Sequence, residues 1–193
     1  MKSAMVGCLT MLVILFVVSF VCIAPILVTY NGLQVMDERC NESWAEIDNQ
    51  LERKDKLIPN LVATVKGYAK HESKVMEDIA TARSQLLNAK TAGEKYEAND
   101  GLSKALGRLM MLTENYPDLK ADKQFIQLQD QLEGCENRIT VARMDYNKTA
   151  KILNTKIRTF PTSLIVGIAK VEKRQYFEAS DKVRQNSVSV SFE

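Results

Sequence analysis

Apolar residues recur at steps of three and four positions through most of this chain, which is the spacing of amphipathic α-helices. The first such stripe predicts a helix from residue 31 to about 71, with one gap of seven positions between Leu51 and Ile58. Pro59 lies inside this stripe, and the apolar phase continues across it. We therefore expect one kinked helix, with a second helix starting at the proline as the alternative.

Three more stripes follow the first one. Two of them, Val75 to Leu86 and Leu102 to Leu112, predict helices of about half the length of the first. The last, Phe125 to Leu153, keeps the strict alternation of a heptad seam and predicts a helix over residues 118–159. Long helices joined by short connections are typical of an antiparallel up-down bundle.

A different pattern precedes the first stripe. Residues Ala4 to Val28 are almost entirely apolar, and no charged side chain occurs between Lys2 and Asp37. As a helix this segment would be about 37 Å long, enough to cross a hydrocarbon layer of about 30 Å. A cleaved signal peptide and a lipoprotein signal are the alternatives, but the apolar stretch is long for the first and lacks a suitable cysteine for the second. We expect an uncleaved transmembrane anchor.

Together these patterns predict an all-α protein, in which a single N-terminal transmembrane helix precedes an elongated antiparallel up-down bundle of about four helices. We expect the anchor in residues 1–30, the bundle in 31–160 and a C-terminal tail in 161–193. Lys2 on one side of the anchor, against a lone Arg39 on the other, favours a bundle outside the cytoplasm.

The tail combines apolar, basic and aromatic residues, a composition that suits the head-group layer of a membrane. If the two long helices run antiparallel, the chain returns to the membrane near Phe160. The candidate membrane-surface contacts are Ile165, Ile168, Lys170, Lys173, Arg174 and Phe177. The alternative is that the apolar members of this set close the open end of the bundle core. The alternating segment 187–192 is expected to be extended.

Composition limits which classes of ligand and which covalent links are expected. The net charge of +2 lacks the strong positive field of nucleic-acid-binding proteins. Two of the four cysteines, Cys40 and Cys135, stand at apolar positions of the helical stripes, so we expect small buried thiols. A disulfide between them stays open if the domain is extracytoplasmic.

Candidate catalytic groups are sparse. The single histidine, His71, has no partner at metal-ligand spacing, and the glycines form no phosphate-binding loop. We therefore expect no cofactor, no metal and no enzymatic activity. A cryptic hydrolase or a metal-dependent envelope enzyme is the alternative.

Several motifs between residues 30 and 180 resemble, in order and spacing, the LemA family of bacterial membrane-anchored helical proteins. The motifs include Trp44-x-x-Ile47-Asp48, Leu57-Ile58-Pro59-Asn60-Leu61, Tyr116-Pro117-Asp118-Leu119-Lys120, Glu136-Asn137-Arg138-Ile139 and Tyr176-Phe177-Glu178-Ala179. The resemblance implies a single-span protein of the bacterial inner membrane with an antiparallel helical bundle. It implies no catalytic residues, and the biochemical role of the family is not settled.

Polar residues within these motifs are candidates either for internal hydrogen bonds that hold the bundle in register or for a partner-binding surface. They are Asp48, Asn60, Asn137, Arg138 and Asn147. The sequence thus predicts a non-enzymatic scaffold or adaptor of the cell envelope. Its expected partners are membrane lipid, through the anchor, and either other proteins or further copies of itself.

Overall fold

The structure is a computed structural model that describes residues 2–69 and 71–178. Within these two ranges α-helix is the only regular secondary structure, which confirms the all-α prediction of an apolar N-terminal helix followed by a helical bundle. The helices are α1 (Lys2–Tyr68), α2 (Ser73–Asn88), α3 (Ala92–Thr113), α4 (Pro117–Lys120), α5 (Lys123–Lys156) and α6 (Thr162–Ala169). The segment 187–192, predicted to be extended, lies outside the described residues.

Helix α1 joins the predicted anchor to the first helix of the bundle without interruption. It also continues through Pro59, as the unbroken apolar phase indicates. Proline deprives the carbonyl four residues earlier of its N–H donor, which costs helix stability. Burial of Ile58 and Leu61 on either side, at 1% and 0% exposure, favours continuation of the helix.

Helices α2 and α3 pack against each other and bury Ile79 and Leu102 almost completely. The polar break between them contains a capping box, in which the Thr91 hydroxyl accepts from the Glu94 N–H and the Glu94 carboxylate accepts from the Thr91 N–H. This reciprocal pair satisfies N–H groups that would otherwise lack partners at the start of α3.

The predicted fourth helix begins later than the pattern indicates. Residues from Pro117 form only the short helix α4, and α5 starts at Lys123 after a turn. The carboxylate of Asp122, not that of Asp118, accepts the N–H of Phe125 at 2.9 Å and so caps the long helix. Helix α5 then buries the heptad seam that the sequence predicts. Its buried members are Phe125, Leu128, Leu132, Cys135, Ile139, Ala142, Tyr146 and Leu153.

The described residues fall into two compact units. The first unit combines the chain up to Glu42 with Lys148–Arg174, and the second combines Ser43–Asn147 with the described residues from Gln175 onward. The core of the first unit contains Leu33, Cys40, Leu153, Ala169 and Val171. The core of the second unit includes Ile47, Ile58, Leu61, Leu102, Leu109 and Ile139.

Candidate functional site

A buried lysine is the most unusual feature of the second unit. Lys54 lies in the gap between Leu51 and Ile58 in the apolar stripe of α1, and the numbers 51, 54 and 58 continue the three-four spacing. Lys54 therefore occupies a core position, where it is only 2% exposed. Lysine is almost never fully buried unless its charge is paired, so the surrounding side chains must neutralise it.

Those side chains come from α3 and α5. The Lys54 ammonium donates to Asn99 Oδ1 at 2.8 Å, to Ser103 Oγ at 2.9 Å and to Glu136 Oε2 at 2.7 Å. The second carboxylate oxygen of Glu136 lies 3.2 Å from Asn99 Nδ2 and 3.1 Å from Ser103 Oγ. We call these four residues the Lys54 quartet. It connects three helices through one ammonium group.

The electrostatics of the quartet reflect burial and pairing together. Burial lowers the pKa of Lys54 below its ordinary value, and attraction to Glu136 offsets only part of this effect. Burial alone would raise the pKa of Glu136. The charge of Lys54 and the hydrogen bonds from Lys54, Ser103 and Asn99 outweigh burial and hold that pKa below its usual range.

An ammonium group has three N–H donors, and in the quartet all three are engaged. A lysine that acts as a nucleophile or a general base needs a free lone pair and access for a substrate. Lys54 has neither, because it is both buried and fully hydrogen-bonded. The arrangement therefore suits a structural role, in which a buried polar network specifies how the helices align.

Two further ion pairs bind α1 to its neighbours in the second unit. Arg83 of α2 forms a two-pronged contact with Asp55, from Nε to Oδ1 at 2.5 Å and from Nη2 to Oδ2 at 3.0 Å. Lys95 of α3 pairs with Asp48 and also lies 4.9 Å from the ring centroid of Trp44, a cation–π contact. Each pair connects a different helix to α1.

An aromatic cluster in the second unit includes Trp44, Tyr146 and Phe177, whose ring centroids are 5.3 to 5.4 Å apart. Asn147 holds the main chain beside it, because its amide accepts the N–H of Phe177 and donates to the carbonyl of the same residue, both at 2.9 Å. One side chain thus satisfies both main-chain groups of a residue in the non-helical segment that follows α6.

The first unit contains the same kind of pairing. Asn154 accepts the N–H of Arg174 at 2.9 Å and donates to its carbonyl at 2.8 Å. The guanidinium of Arg174 then reaches α1, where it contacts Asp37 Oδ1 at 2.7 Å and Asn41 Oδ1 at 2.9 Å. Arg174 therefore participates in contacts within the protein through both its main chain and its side chain.

The five polar residues predicted from the sequence fall into two groups in the structure, one with internal contacts and one exposed. Asp48 and Asn147 make the internal contacts described above. Asn60, Asn137 and Arg138 are exposed. Asn137 and Arg138 line a shallow groove beside α1, which leaves them accessible to another molecule.

The six candidate membrane-surface residues likewise divide into buried and exposed members. Ile165 is 7% exposed and Phe177 is 6% exposed, so both belong to buried cores. Ile168 is 74% exposed, and Lys170 and Lys173 are also exposed. Arg174, described above, is half-buried in its contacts with α1.

Sequence reasoning missed the Lys54 quartet. The available signal was the gap of seven in the stripe of α1, since a charged residue at the missing seam position has to be paired inside the bundle. Asn99 and Glu136 gave no such signal, because polar residues near an apolar seam are common on the wet side of amphipathic helices.

The chemistry of the remaining candidates is limited. His71 is exposed, and within residues 2–69 and 71–178 no group of three or more histidine, cysteine, aspartate or glutamate side chains could hold a metal ion. Cys40 and Cys135 are both buried, free thiols. Burial raises the pKa of the Cys40 thiol, which lowers its reactivity.

Helix α1 contains the one described stretch that is long and apolar enough to cross a membrane. Ala4 and Val28, its predicted ends, both lie within this helix. Large apolar side chains between Met11 and Val28 are exposed, with Phe16 at 72% and Val28 at 73%. An apolar surface of this kind is stable in lipid rather than in water, which fits a single-pass membrane protein.

Comparison with known proteins agrees with this architecture. The LemA family model matches residues 43–192. The chain is 25% identical to magnetosome protein MamQ 2 of Paramagnetospirillum magneticum over 199 residues, which cover 90% of this chain and 72% of that protein. It is 28% identical to protein LemA of Metamycoplasma hominis over 132 residues, or 67% of this chain and 59% of that protein. The chain belongs to the LemA family, and its exposed apolar helix fits a membrane-associated member of it.

Proposed function

We propose that this protein is a non-enzymatic adaptor of the bacterial cell envelope, which the apolar part of α1 holds in the inner membrane with the bundle outside the cytoplasm. The adaptor presents a surface of its second unit to a polypeptide partner. The observation that carries the proposal is a contrast within that unit. Its buried polar centre is hydrogen-bonded internally, whereas a groove on its surface presents the exposed side chains of Arg138 and Val141.

The groove has a volume of about 460 Å³ and lies between α1 and α5. Gln50 donates through Nε2 to Glu46 at 2.8 Å, but its Oε1 atom is buried and has no hydrogen-bond partner among the described residues. Because this atom is buried, an approaching chain contacts the exposed side chains around it rather than the oxygen itself. The lining residues are Glu46, Gln50, Asn137, Arg138, Val141, Ala142 and Asp145.

The chemistry of the lining suggests a polypeptide segment as the occupant. Such a segment would offer an apolar side chain to Val141, which is 57% exposed, and charged groups to Arg138 and Asp145. Mixed polar and apolar contacts of this kind are usual in non-obligate protein interfaces.

Site-specific photo-crosslinking in cells tests the proposal with the full chain in its membrane. A photoreactive amino acid replaces Arg138 in the groove. A matched control replaces Gln85, an exposed residue of α2 in the same unit. We expect an adduct of discrete mass from position 138 that is absent from position 85. We also expect Val141→Asp to abolish the adduct while thermal unfolding stays unchanged.

Three results would overturn the proposal. Equal adducts from both positions, or none from position 138, would show that the groove does not bind a partner. An adduct with the mass of two copies of this chain would identify a homo-oligomer instead of an adaptor. Stoichiometric metal in the purified full-length protein together with a positive hydrolase screen would revive the enzymatic alternative.

A further inference from the structure

Helix α6 buries one face and exposes the other. Ile165 and Ala169 are buried, at 7% and 6% exposure, and Ala169 belongs to the core of the first unit. Phe160, just before the helix, is 80% exposed, Leu164 is 71% exposed and Ile168 is 74% exposed. A spacing of four residues aligns Leu164 and Ile168 on one side of α6. We call these two side chains, together with the exposed Phe160 that precedes the helix, the outer face of α6.

The position of α6 along α1 is defined by contacts inside the first unit. Gln34 Nε2 donates to the carbonyl of Ala169 at 3.0 Å, and Ala169 shares a core with Leu33. Tyr30 packs against the same core. These contacts begin immediately after Val28, the last residue of the exposed apolar run of α1.

The distances fit the outer layer of a bilayer. Gln34 lies six residues beyond Val28, or about 9 Å along the helix axis. The hydrocarbon core is about 30 Å thick and the bilayer about 40 to 45 Å with its head groups, so the head groups extend about 5 to 8 Å beyond the hydrocarbon on each side. If Val28 marks the edge of the hydrocarbon layer, the contact between Gln34 and Ala169 lies at the outer margin of the head groups, within one side-chain length of them.

The basic residues that follow α6 also agree with a position at a membrane surface. Lys170 takes the left-handed conformation, with φ of 52°, and ends the helix. Lys170 and Lys173 are both exposed. Basic side chains next to an apolar helix face are attracted by anionic lipid head groups, and their long stems allow the ammonium groups to reach them.

We infer that the outer face of α6 inserts into the head-group layer of the bilayer that α1 spans, so that the first unit contacts lipid at a second place. The occupant of this face is lipid because contacts with Leu33 and Gln34 hold α6 close to the end of the exposed apolar run of α1, and exposed lysines follow the helix. The contact set differs from that suggested by the sequence: Ile165 and Phe177 are buried and Arg174 binds α1, whereas Phe160 and Leu164 are added.

Depth-dependent quenching tests this inference in the full-length chain. The protein is reconstituted into vesicles of phosphatidylcholine and phosphatidylglycerol that carry bromine on the first carbons of the acyl chains. Leu164→Trp introduces a fluorophore on the outer face of α6, and subtraction of the parent spectrum removes the contribution of the native tryptophan, Trp44.

Ile152→Trp is the matched control. Ile152 is an aliphatic residue of the same unit, and it is 51% exposed. It lies two residues from Asn154, whose partner Arg174 binds Asp37. Asp37 is about 14 Å past Val28 along α1, well outside the head-group layer.

We expect brominated lipid to quench the added emission of Leu164→Trp at least about twofold more than that of Ile152→Trp, with an emission maximum shifted to shorter wavelength. Equal quenching of the two variants would overturn the inference. So would protection of the Leu164→Trp emission from both brominated lipid and aqueous iodide, because a protein surface would then cover α6. Ile168→Trp serves as a second variant if Leu164→Trp does not fold. The adaptor proposal rests on the groove of the second unit and is tested separately.

Discussion

The Lys54 quartet makes the second unit respond unequally to the loss of either charged partner. Glu136→Leu leaves an ammonium that is 2% exposed and has no counter-charge in the quartet. Lys54→Met leaves a carboxylate whose side chain is 38% exposed and can therefore be hydrated. We expect Glu136→Leu to be the more damaging substitution.

The magnitudes follow from burial. Removing one partner of a fully buried ion pair costs about 3 to 5 kcal/mol, and the partial exposure of Glu136 moves our expectation to about 3 kcal/mol for Glu136→Leu. For Lys54→Met we expect about 1 kcal/mol, because the remaining carboxylate is hydrated and methionine fills most of the lysine volume. The double variant should lose less stability than Glu136→Leu alone, since no charge stays buried.

The assay is denaturant unfolding of the full-length chain in detergent micelles. The fluorescence of Trp44, the only tryptophan, reports on the unit that contains the quartet. The free energy of unfolding comes from linear extrapolation, and the double-mutant cycle isolates the interaction between Lys54 and Glu136.

The pH dependence gives a second test of the same reasoning. The pKa of folded Lys54 lies below its ordinary value of 10.5, so between the two values the unfolded state binds more protons and stability rises with pH. In Glu136→Leu the pKa of Lys54 should fall further, because its counter-charge is gone. The pH range in which stability rises then extends to lower pH, and the free energy of unfolding should rise more above pH 7 than it does in the parent. The reasoning would be refuted if Lys54→Met were as damaging as Glu136→Leu, or if the Glu136→Leu variant showed no additional rise.

Four further predictions concern other contacts. Asn147→Ala should lower the free energy of unfolding by about 2 kcal/mol, because it leaves two main-chain groups unpaired, whereas the exposed Asn137→Ala should stay within about 0.5 kcal/mol. Equal losses in thermal unfolding would contradict this difference. Thr91→Ala should cost about 1 kcal/mol by loss of the α3 cap, with Thr91→Ser as the control that keeps the acceptor. Main-chain donors hold the pKa of Glu94 below its ordinary 4.5. The contribution of Glu94 to the free energy of unfolding should therefore be present above pH 4.5 and disappear as the pH falls through the folded pKa. Glu94→Gln should remove this pH dependence in urea unfolding. The Cys40 thiol should react with an alkylating reagent far more slowly in the native than in the denatured protein, and rapid native labelling in mass spectrometry would contradict its burial.

The long helices could be predicted from the sequence because their signal is local and repeated. Each buried residue of the α5 seam, from Phe125 to Leu153, adds to one periodic pattern, and a single exception does not change it. The start of α5 depends instead on one capping interaction. Both Asp118 and Asp122 can cap a helix, and only the observed hydrogen bond to Phe125 decides between them.

The candidate site was less accessible to prediction. Lys54 interrupts an apolar stripe, and this can be seen from spacing alone, but its partners Asn99 and Glu136 are 45 and 82 positions away in the chain. Their pairing depends on how three helices align, which periodicity does not specify. The groove residue Gln50 was equally hard to identify from the sequence, because the lack of a hydrogen-bond partner for its Oε1 atom depends on how the helices pack.

Asn147 and Asn154 bind the main chain of Phe177 and Arg174, and they recognise no side chain through these bonds. Amide-to-backbone pairs of this kind do not select the residue type; at Phe177 and Arg174 the aromatic cluster and Asp37 do so instead. Outward residues of the same segment, such as Lys173, make neither bond, so their substitution leaves the attachment intact. The surface chemistry of this segment is therefore adjustable independently of the two asparagines that keep it in place.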